Sequence, residues 1–351
     1  MLYKNILAIE TSCDDTSIAI VREGRNVLTS IVSSQIAVHQ PFGGVVPEIA
    51  SRHHLENIAY VSETALAEAN MAFADVDAFA VTYGPGLVGS LLVGVSYAKA
   101  LAYALNKPLL PVHHLEGHLY AGFLEKADFS FPLLVLIVSG GHTTLLNMQD
   151  HGKYEVIGVT RDDAAGEAFD KISRVLGLGY PGGPFIQKLA QEGNPAAIKF
   201  PRAWLEKGSY DFSFSGVKSS VINFLHNAKQ KGEDFNTADI AASFQEALVE
   251  VLVTKTIKAA QEYNVKNILV AGGVAANAVL RTRMQSASVA HNLQCHFPSS
   301  EYCTDNAAMI ACAAYFTSQF KERNTGMDLN AIPYQPLPNR APKSDNIPPD
   351  F

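Results

Sequence analysis

Two stretches of this chain follow one pattern: strand, tight polar turn, strand, strand. The first starts with an apolar run at 5–10 and breaks at Thr11-Ser12-Cys13-Asp14-Asp15-Thr16, a turn rich in hydroxyls and carboxylates. Strands then follow at 17–21 and from 27 to about 33. The second starts at 133–138, turns at Ser139-Gly140-Gly141-His142, and continues as strands at 143–148 and 154–159. A chain that carries such a unit twice, with helical segments between, is expected to form a duplicated α/β structure. Its two lobes are expected to face each other across a cleft.

Helices and further strands are expected to follow each repeat. Pro47 opens a helix to about Asn70, with Leu55, Ile58, Ala59, Ser62, Ala65, Leu66 and Ala69 on one stripe. Arg52, His53 and His54 near its start read as solvated polar positions. A strand at 76–82 turns at Gly84-Pro85-Gly86-Leu87-Val88-Gly89-Ser90 into an apolar helix. No Gly-Lys-Ser/Thr follows, so the turn is not a Walker loop. Later, a helix from about 238 to 263 precedes a strand at 267–271 and then Gly272-Gly273-Val274-Ala275-Ala276-Asn277. Paired glycines between a strand and a helix start permit close backbone approach to a nucleotide.

The candidate chemistry centres on Pro111-Val112-His113-His114-Leu115-Glu116-Gly117-His118, where a buried strand at 109–113 delivers a His pair. On a helix, His114 and His118 lie about 40° apart around the axis and one turn apart along it, a geometry that chelates a metal. Glu116 falls roughly 200° from His114, unlike the acid of His-Glu-x-x-His zinc proteases, which follows the first His directly. A third ligand, Asp305, stands just before an apolar run where another helix begins. Two His and one carboxylate would leave positions open, as in a catalytic site, and suit Fe(II) or Zn.

Composition narrows the remaining choices. With 351 residues and 48% hydrophobic content, the chain can bury a large core and build two domains. The apolar stretch 87–105 carries Gly, Ser and Lys99 and reads as a core helix, so no membrane span is expected. Four cysteines, Cys13, Cys295, Cys303 and Cys312, form no CxxC pair, which points to a reducing compartment and by default the cytoplasm. A net charge of −7 provides no electrostatic footprint for nucleic acid, so if a nucleic acid is the substrate, a local basic patch or a partner subunit must supply the attraction. Arg52, Lys218, Arg281 and Arg283 are the candidate phosphate contacts.

These stretches resemble one family closely, the TsaD proteins, also called YgjD, Gcp or Kae-type proteins. The resemblance rests on Ile9 to Thr16, Gly43 to Glu48, Gly84 to Leu87, His113 to His118, Val138 to His142, Asp163 to Asp170, Asp211 to Gly216, Gly272 to Asn277 and Cys303 to Asn306. It implies the duplicated fold of actin, the Hsp70 chaperones and the sugar kinases. Lobe I would comprise 1–130 plus 298–325 and lobe II 131–297, leaving 326–351 as a proline-rich tail, extended or disordered.

It also implies transfer of the threonylcarbamoyl group of threonylcarbamoyl-AMP to N6 of adenosine 37 in tRNAs that read ANN codons, completing t6A. One divalent metal would be held by His114, His118 and Asp305, with Fe2+ favoured and Zn2+ or Mg2+ as alternatives. The adenylate, or ATP or ADP in the cleft, would be held by Ile137, Val138, Ser139, Gly140, Gly141, Asp170, Gly183 and Asn277. On chemical grounds the backbone of Ser139 to Gly141 would cradle phosphate and Asp170 would take ribose hydroxyls, with Ser12, Gly272 and Gly273 as further phosphate or adenosine contacts. The implied partners are tRNA, a TsaB-like paralogue and a TsaE-like P-loop ATPase, with threonylcarbamoyl-AMP supplied by a separate synthase. The rival readings are a small-molecule kinase of the same fold group, a metalloprotease, disfavoured by the position of Glu116, and a non-catalytic scaffold, against which the intact His pair and Asp305 tell.

Overall fold

The computed structural model describes residues 3–125, 129–319 and 327–338. In chain order the elements are β1 (Asn5–Glu10), β2 (Asp15–Arg22), β3 (Asn26–Ser34), α1 (Ile36–His39), α2 (Pro47–Glu68), β4 (Ala78–Gly84), α3 (Val88–Leu105), β5 (Leu109–His113) and α4 (His114–Ala121). Then follow β6 (Leu133–Val138), β7 (Thr143–Asp150), β8 (Lys153–Val159), α5 (Ala165–Val175), α6 (Gly182–Ala190), α7 (Ser215–Lys231) and α8 (Thr237–Glu262). The chain ends with β9 (Asn267–Ala271), α9 (Ala278–Ala290), β10 (Gln294–His296), α10 (Ser300–Cys303) and α11 (Ala307–Ser318).

The strands form two five-stranded sheets with the same topology. One has the order β3-β2-β1-β4-β5, and the other, read from its opposite edge, β8-β7-β6-β9-β10. In each, the first strand pairs antiparallel with the second and parallel with the fourth, and the fifth extends the parallel side. The central strands β1, β6 and β9 are apolar runs, as expected for strands covered on both faces.

The chain divides into two compact units. The first comprises 1–129, 150–153 and 298–337, and the second 130–149, 154–297 and 338–351. The short β7–β8 turn at 150–153 therefore groups with the first unit. There Gly152 N donates to the Tyr120 hydroxyl at 3.0 Å and the His151 ring stacks on Phe316 with centroids 4.4 Å apart.

In the first unit, α2 and α3 pack together and contribute Ile58, Val61, Ala65, Val95 and Ala98 to a core with β1, β2 and β4. α3 is the one helix among the described residues long and apolar enough to cross a membrane. Its Gly94 lies so close to β1 that a Cβ there would fall 2.4 Å from Thr11 Oγ1, and Leu91, Val95, Ala98 and Ala102 are buried, so it is a core helix of this unit. Two expectations about α2 fail. Leu55 is 69% exposed and Ala59 is exposed too, because both flank the Ile58–Ala65 row rather than continuing it. His54 is fully buried, holding Thr16 Oγ1 at 2.7 Å and the Cys13 carbonyl at 2.9 Å.

The segment 327–338 has no helix or strand but is tied to the first unit. Ile332 N donates to the Tyr83 carbonyl at 2.7 Å, Gly86 N to the Pro333 carbonyl at 3.1 Å, and Lys99 Nζ to the Leu329 carbonyl at 2.9 Å. The rest of the expected tail, 339–351, lies outside the described residues.

Candidate functional site

β5 runs directly into α4, an eight-residue helix buried along its whole length. His113 is its N-cap, with its ring accepting from Leu115 N at 3.2 Å. That makes Nδ1 an acceptor, so Nε2 carries the hydrogen and donates to the Gln335 carbonyl at 2.9 Å. α4 packs on α11, and Gly117 allows the approach, since a Cβ there would fall 2.6 Å from Ile310 Cδ1 and 3.2 Å from Met309 Cγ. α11 is capped by Asn306, whose side chain accepts from Met309 N at 2.9 Å. Asp305, one residue earlier, is thereby fixed beside α4.

The result brings His114, His118 and Asp305 together, with one potential ligand atom from each lying within 4.8 Å of the others. Asp305 Oδ1 is 3.2 Å from His118 Nε2 and 3.6 Å from His114 Nε2. His118 is fully buried and neither ring nitrogen makes a hydrogen bond. A buried imidazole without hydrogen bonds is costly unless something else engages its lone pair. A divalent cation fits that requirement and the donor set.

One residue completes this surrounding that sequence reasoning did not single out. Glu10, at the end of β1, is fully buried. Its Oε2 lies 3.1 Å from His114 Nδ1 and accepts from Thr82 Oγ1 at 2.6 Å, and its Oε1 accepts from Ser12 N at 2.6 Å. Burial alone would raise the Glu10 carboxyl and lower the His114 imidazole. The paired charges win: Glu10 is held below its ordinary value, and Asp305 and Glu10 push His114 up to about 9. The available signal was a lone acid closing an otherwise apolar strand. Ser12, expected at a phosphate, has its Oγ 3.2 Å from His114 Nδ1. Burial, reinforced by Asp14, Asp305 and Glu10 against a hydrogen bond from Ser34, pushes Asp15 up to about 7.

The remaining expected residues lie in the second unit. Ser139 to His142 form the β6–β7 turn, closed by Ser139 N on the His142 carbonyl at 2.8 Å. α5 abuts this turn through Gly166, where a Cβ would fall 2.7 Å from Gly140 Cα. Gly140, Gly141, Gly183 and Gly273 border open space, with nothing within 4 Å of a built Cβ, whereas at Gly272, with φ +95°, a Cβ would fall 2.5 Å from the Val138 carbonyl oxygen. The side chains of Ile137 and Val138 are fully buried, so only their backbone can reach a ligand. Asp170 accepts from Gly182 N at 2.6 Å, at the start of α6. Asn277 caps α9 through Leu280 N at 3.0 Å and donates to Gln245 Oε1 at 2.8 Å. Both polar groups thus have structural work before any ligand arrives.

Of the four candidate phosphate contacts, three are engaged inside the second unit. Arg283 pairs with Glu246 at 2.6 Å, Arg281 donates to the Ala275 carbonyl at 2.7 Å, and Lys218 pairs with Asp163. Asp162 accepts from Phe214 N and Ser215 N at 2.8 and 3.1 Å, so the stretches at 162–171 and 211–218 form one polar junction. Arg52 is exposed, 4.0 Å from Glu48.

A family model described as "TsaD: tRNA N6-adenosine threonylcarbamoyltransferase" matches residues 26–312. A protein of that name from Moorella thermoacetica is 63% identical over 334 residues, covering 95% of this chain and 97% of its own length. One from Desulfitobacterium hafniense is 58% identical over 329 residues, covering 94% and 96%. Among solved structures, HypF from T. kodakarensis superposes with a TM-score of 0.62 at 15% identity, covering 92% of this chain and 49% of that one. Likeness at that identity speaks for the fold alone, the duplicated actin/Hsp70/sugar-kinase-like architecture.

Proposed function

This chain belongs to the TsaD family of tRNA N6-adenosine threonylcarbamoyltransferases, a family of acyltransferases that modify tRNA, and we propose that its acyl donor is threonylcarbamoyl-AMP. The acceptor is N6 of adenosine 37 in tRNAs reading ANN codons. A loop base can be splayed out without breaking a pair. In the transfer the N6–carbon bond forms, the bond from the carbamoyl carbon to the phosphate oxygen breaks, AMP leaves and the amine gives up a proton.

Such chemistry needs the donor oriented, its phosphate neutralised and water excluded. The backbone of Ser139 to Gly141 cradles phosphate, and Gly183 and Gly273 leave room for the adenylate. Asp170 presents its carboxylate to the ribose hydroxyls, and Asn277 holds the start of α9. His114, His118 and Asp305 hold a divalent ion, Fe2+ or Zn2+ by donor type. When bound, that ion supplies Lewis-acid polarisation of carbamate or phosphate oxygens. The observation that most supports this reading is His118, buried with neither ring nitrogen hydrogen-bonded and with Asp305 3.2 Å from Nε2.

With 34 acidic against 27 basic side chains, the chain shares the tRNA surface with a TsaB-like paralogue and a TsaE-like ATPase, and its cysteine pattern, with no CxxC pair, suits the cytoplasm. The test is reconstitution with threonylcarbamoyl-AMP and tRNA, with and without those partners, comparing wild type with His114→Ala. The variant is expected to lose t6A formation by on the order of 100-fold or more, since removing even an outer partner of a metal ligand costs about 10- to 100-fold. Wild-type rates from a folded variant would sink the metal assignment. Failure of threonylcarbamoyl-AMP to serve as donor would sink the choice of acyl donor.

A further inference from the structure

We infer that Glu10 is a positioning residue that sets the hydrogen on His114, and so decides which nitrogen of that ring faces the ion; this rests on the metal reading above. The carboxylate is fully buried and has no solvent to satisfy it. Three groups surround it: Ser12 N on Oε1 at 2.6 Å, Thr82 Oγ1 on Oε2 at 2.6 Å and His114 Nδ1 on Oε2 at 3.1 Å. An ionised carboxylate only accepts, so the hydrogen of His114 belongs on Nδ1. The Nε2 lone pair is then left on the side where Asp305 Oδ1 stands, 3.6 Å away, and where His118 Nε2 also points. Ligating histidines commonly donate the other ring N–H to a carboxylate, which fixes tautomer and ring orientation and raises ligand basicity.

Glu10 is itself held by elements separate from α4. It closes β1, between β2 and β4, and Thr82 reaches it from β4. The Ser12 carbonyl is fixed by Leu87 N at 2.8 Å, so the turn that donates to Oε1 is braced from the start of α3. The orienting carboxylate thus belongs to the sheet and the oriented imidazole to the buried helix. The second unit has no counterpart, since the residue that closes β6 is Val138.

Glutamine cannot take over this role, although it has the same shape. Turned one way, its amide NH2 meets Ser12 N–H, donor against donor. Turned the other way, the NH2 meets His114 Nδ1, which then accepts from it and from the Ser12 hydroxyl at 3.2 Å, and the ring hydrogen moves to Nε2, the nitrogen needed for the ion.

The test uses the full-length chain stripped with chelator and titrated with Zn2+ alone, and with Co2+ for its visible bands. Wild type, Glu10→Gln, Thr82→Val and His118→Ala are compared, with the thermal midpoint of each metal-free protein measured alongside. Glu10→Gln is expected to weaken Zn2+ binding by about 10- to 100-fold and to change the Co2+ bands while the metal-free midpoint stays close to wild type. If Glu10→Gln does not fold, Thr82→Val decides: a several-fold loss of affinity supports the inference and wild-type affinity overturns it. Wild-type affinity and bands in Glu10→Gln, with binding lost in His118→Ala, overturn the role of Glu10 and leave the metal reading standing. A wild-type chain that binds neither ion overturns the metal reading and this inference with it.

Discussion

His114 sits between two carboxylates, Glu10 at 3.1 Å on one nitrogen and Asp305 at 3.6 Å on the other. In the metal-free protein this sandwich holds a proton on the imidazole up to about pH 9, against an ordinary value of 6.5. A folded-state value above the unfolded one stabilises the fold fully below about pH 6.5, and that contribution fades as pH rises through 9. The thermal midpoint of chelator-stripped protein is therefore expected to fall between pH 6.5 and 9. A metal ion needs the Nε2 lone pair, so binding displaces this proton, and the rise in midpoint on adding Zn2+ should grow across the same window. Differential scanning at matched ionic strength checks both trends. A metal-induced rise that is flat with pH would mean that His114 is not the protonated partner of the two acids.

The next scale is the pair of buried helices that carries the ligands. α4 and α11 close on each other through Gly117, where a Cβ would fall 2.6 Å from the end of Ile310 and 3.2 Å from Met309. Gly117→Ala is expected to be nearly neutral: Ile310 Cδ1 can move aside, and replacing a helical glycine gains up to about 1 kcal/mol that offsets the crowding. Gly117→Val should cost about 1–3 kcal/mol and push α11 away, with the start of that helix taking Asp305 from the His pair. Urea unfolding combined with Zn2+ titration reads both effects. If Gly117→Val binds Zn2+ like wild type, helix spacing does not set the ligand geometry. The i, i+4 spacing of His114 and His118 was legible because helical geometry is local. Glu10 was not, because its meaning comes from a partner more than a hundred positions away, and an acid at the end of a strand looks like any other. His54 and Leu55 depart from the sequence pattern for a related reason: which side of α2 faces β2 is set by packing, and the buried row of α2 runs through His54, Ile58, Val61 and Ala65, beside Leu55.

For the molecule as a whole, the first three strands of each half were readable because antiparallel neighbours follow each other within some thirty residues. The strands that complete each sheet were not readable as equivalents. β4 and β5 come after α1 and α2, and β9 and β10 after four helices, α5 to α8, so the repeat is broken by unlike insertions. The same arrangement makes the two units unequal as folding pieces. The second unit carries all five of its strands and α5 to α9 in nearly one stretch, 130–297, interrupted only by the turn at 150–153. The first unit needs 298–337 as well, because α11 covers β1, β2, β4 and β5 and packs on α4. A fragment of residues 130–297 is therefore expected to fold alone, with a cooperative melt by circular dichroism. A fragment of residues 1–129 should not, since removing α11 exposes an apolar sheet face and leaves α4 without its partner. Adding a second fragment, residues 298–338, should restore the melt. It should restore Zn2+ binding at the same time, because His114 and His118 are on one piece and Asp305 on the other. Cooperative folding and full-affinity Zn2+ binding by the 1–129 fragment by itself would show that α11 is dispensable to the unit and Asp305 to the site.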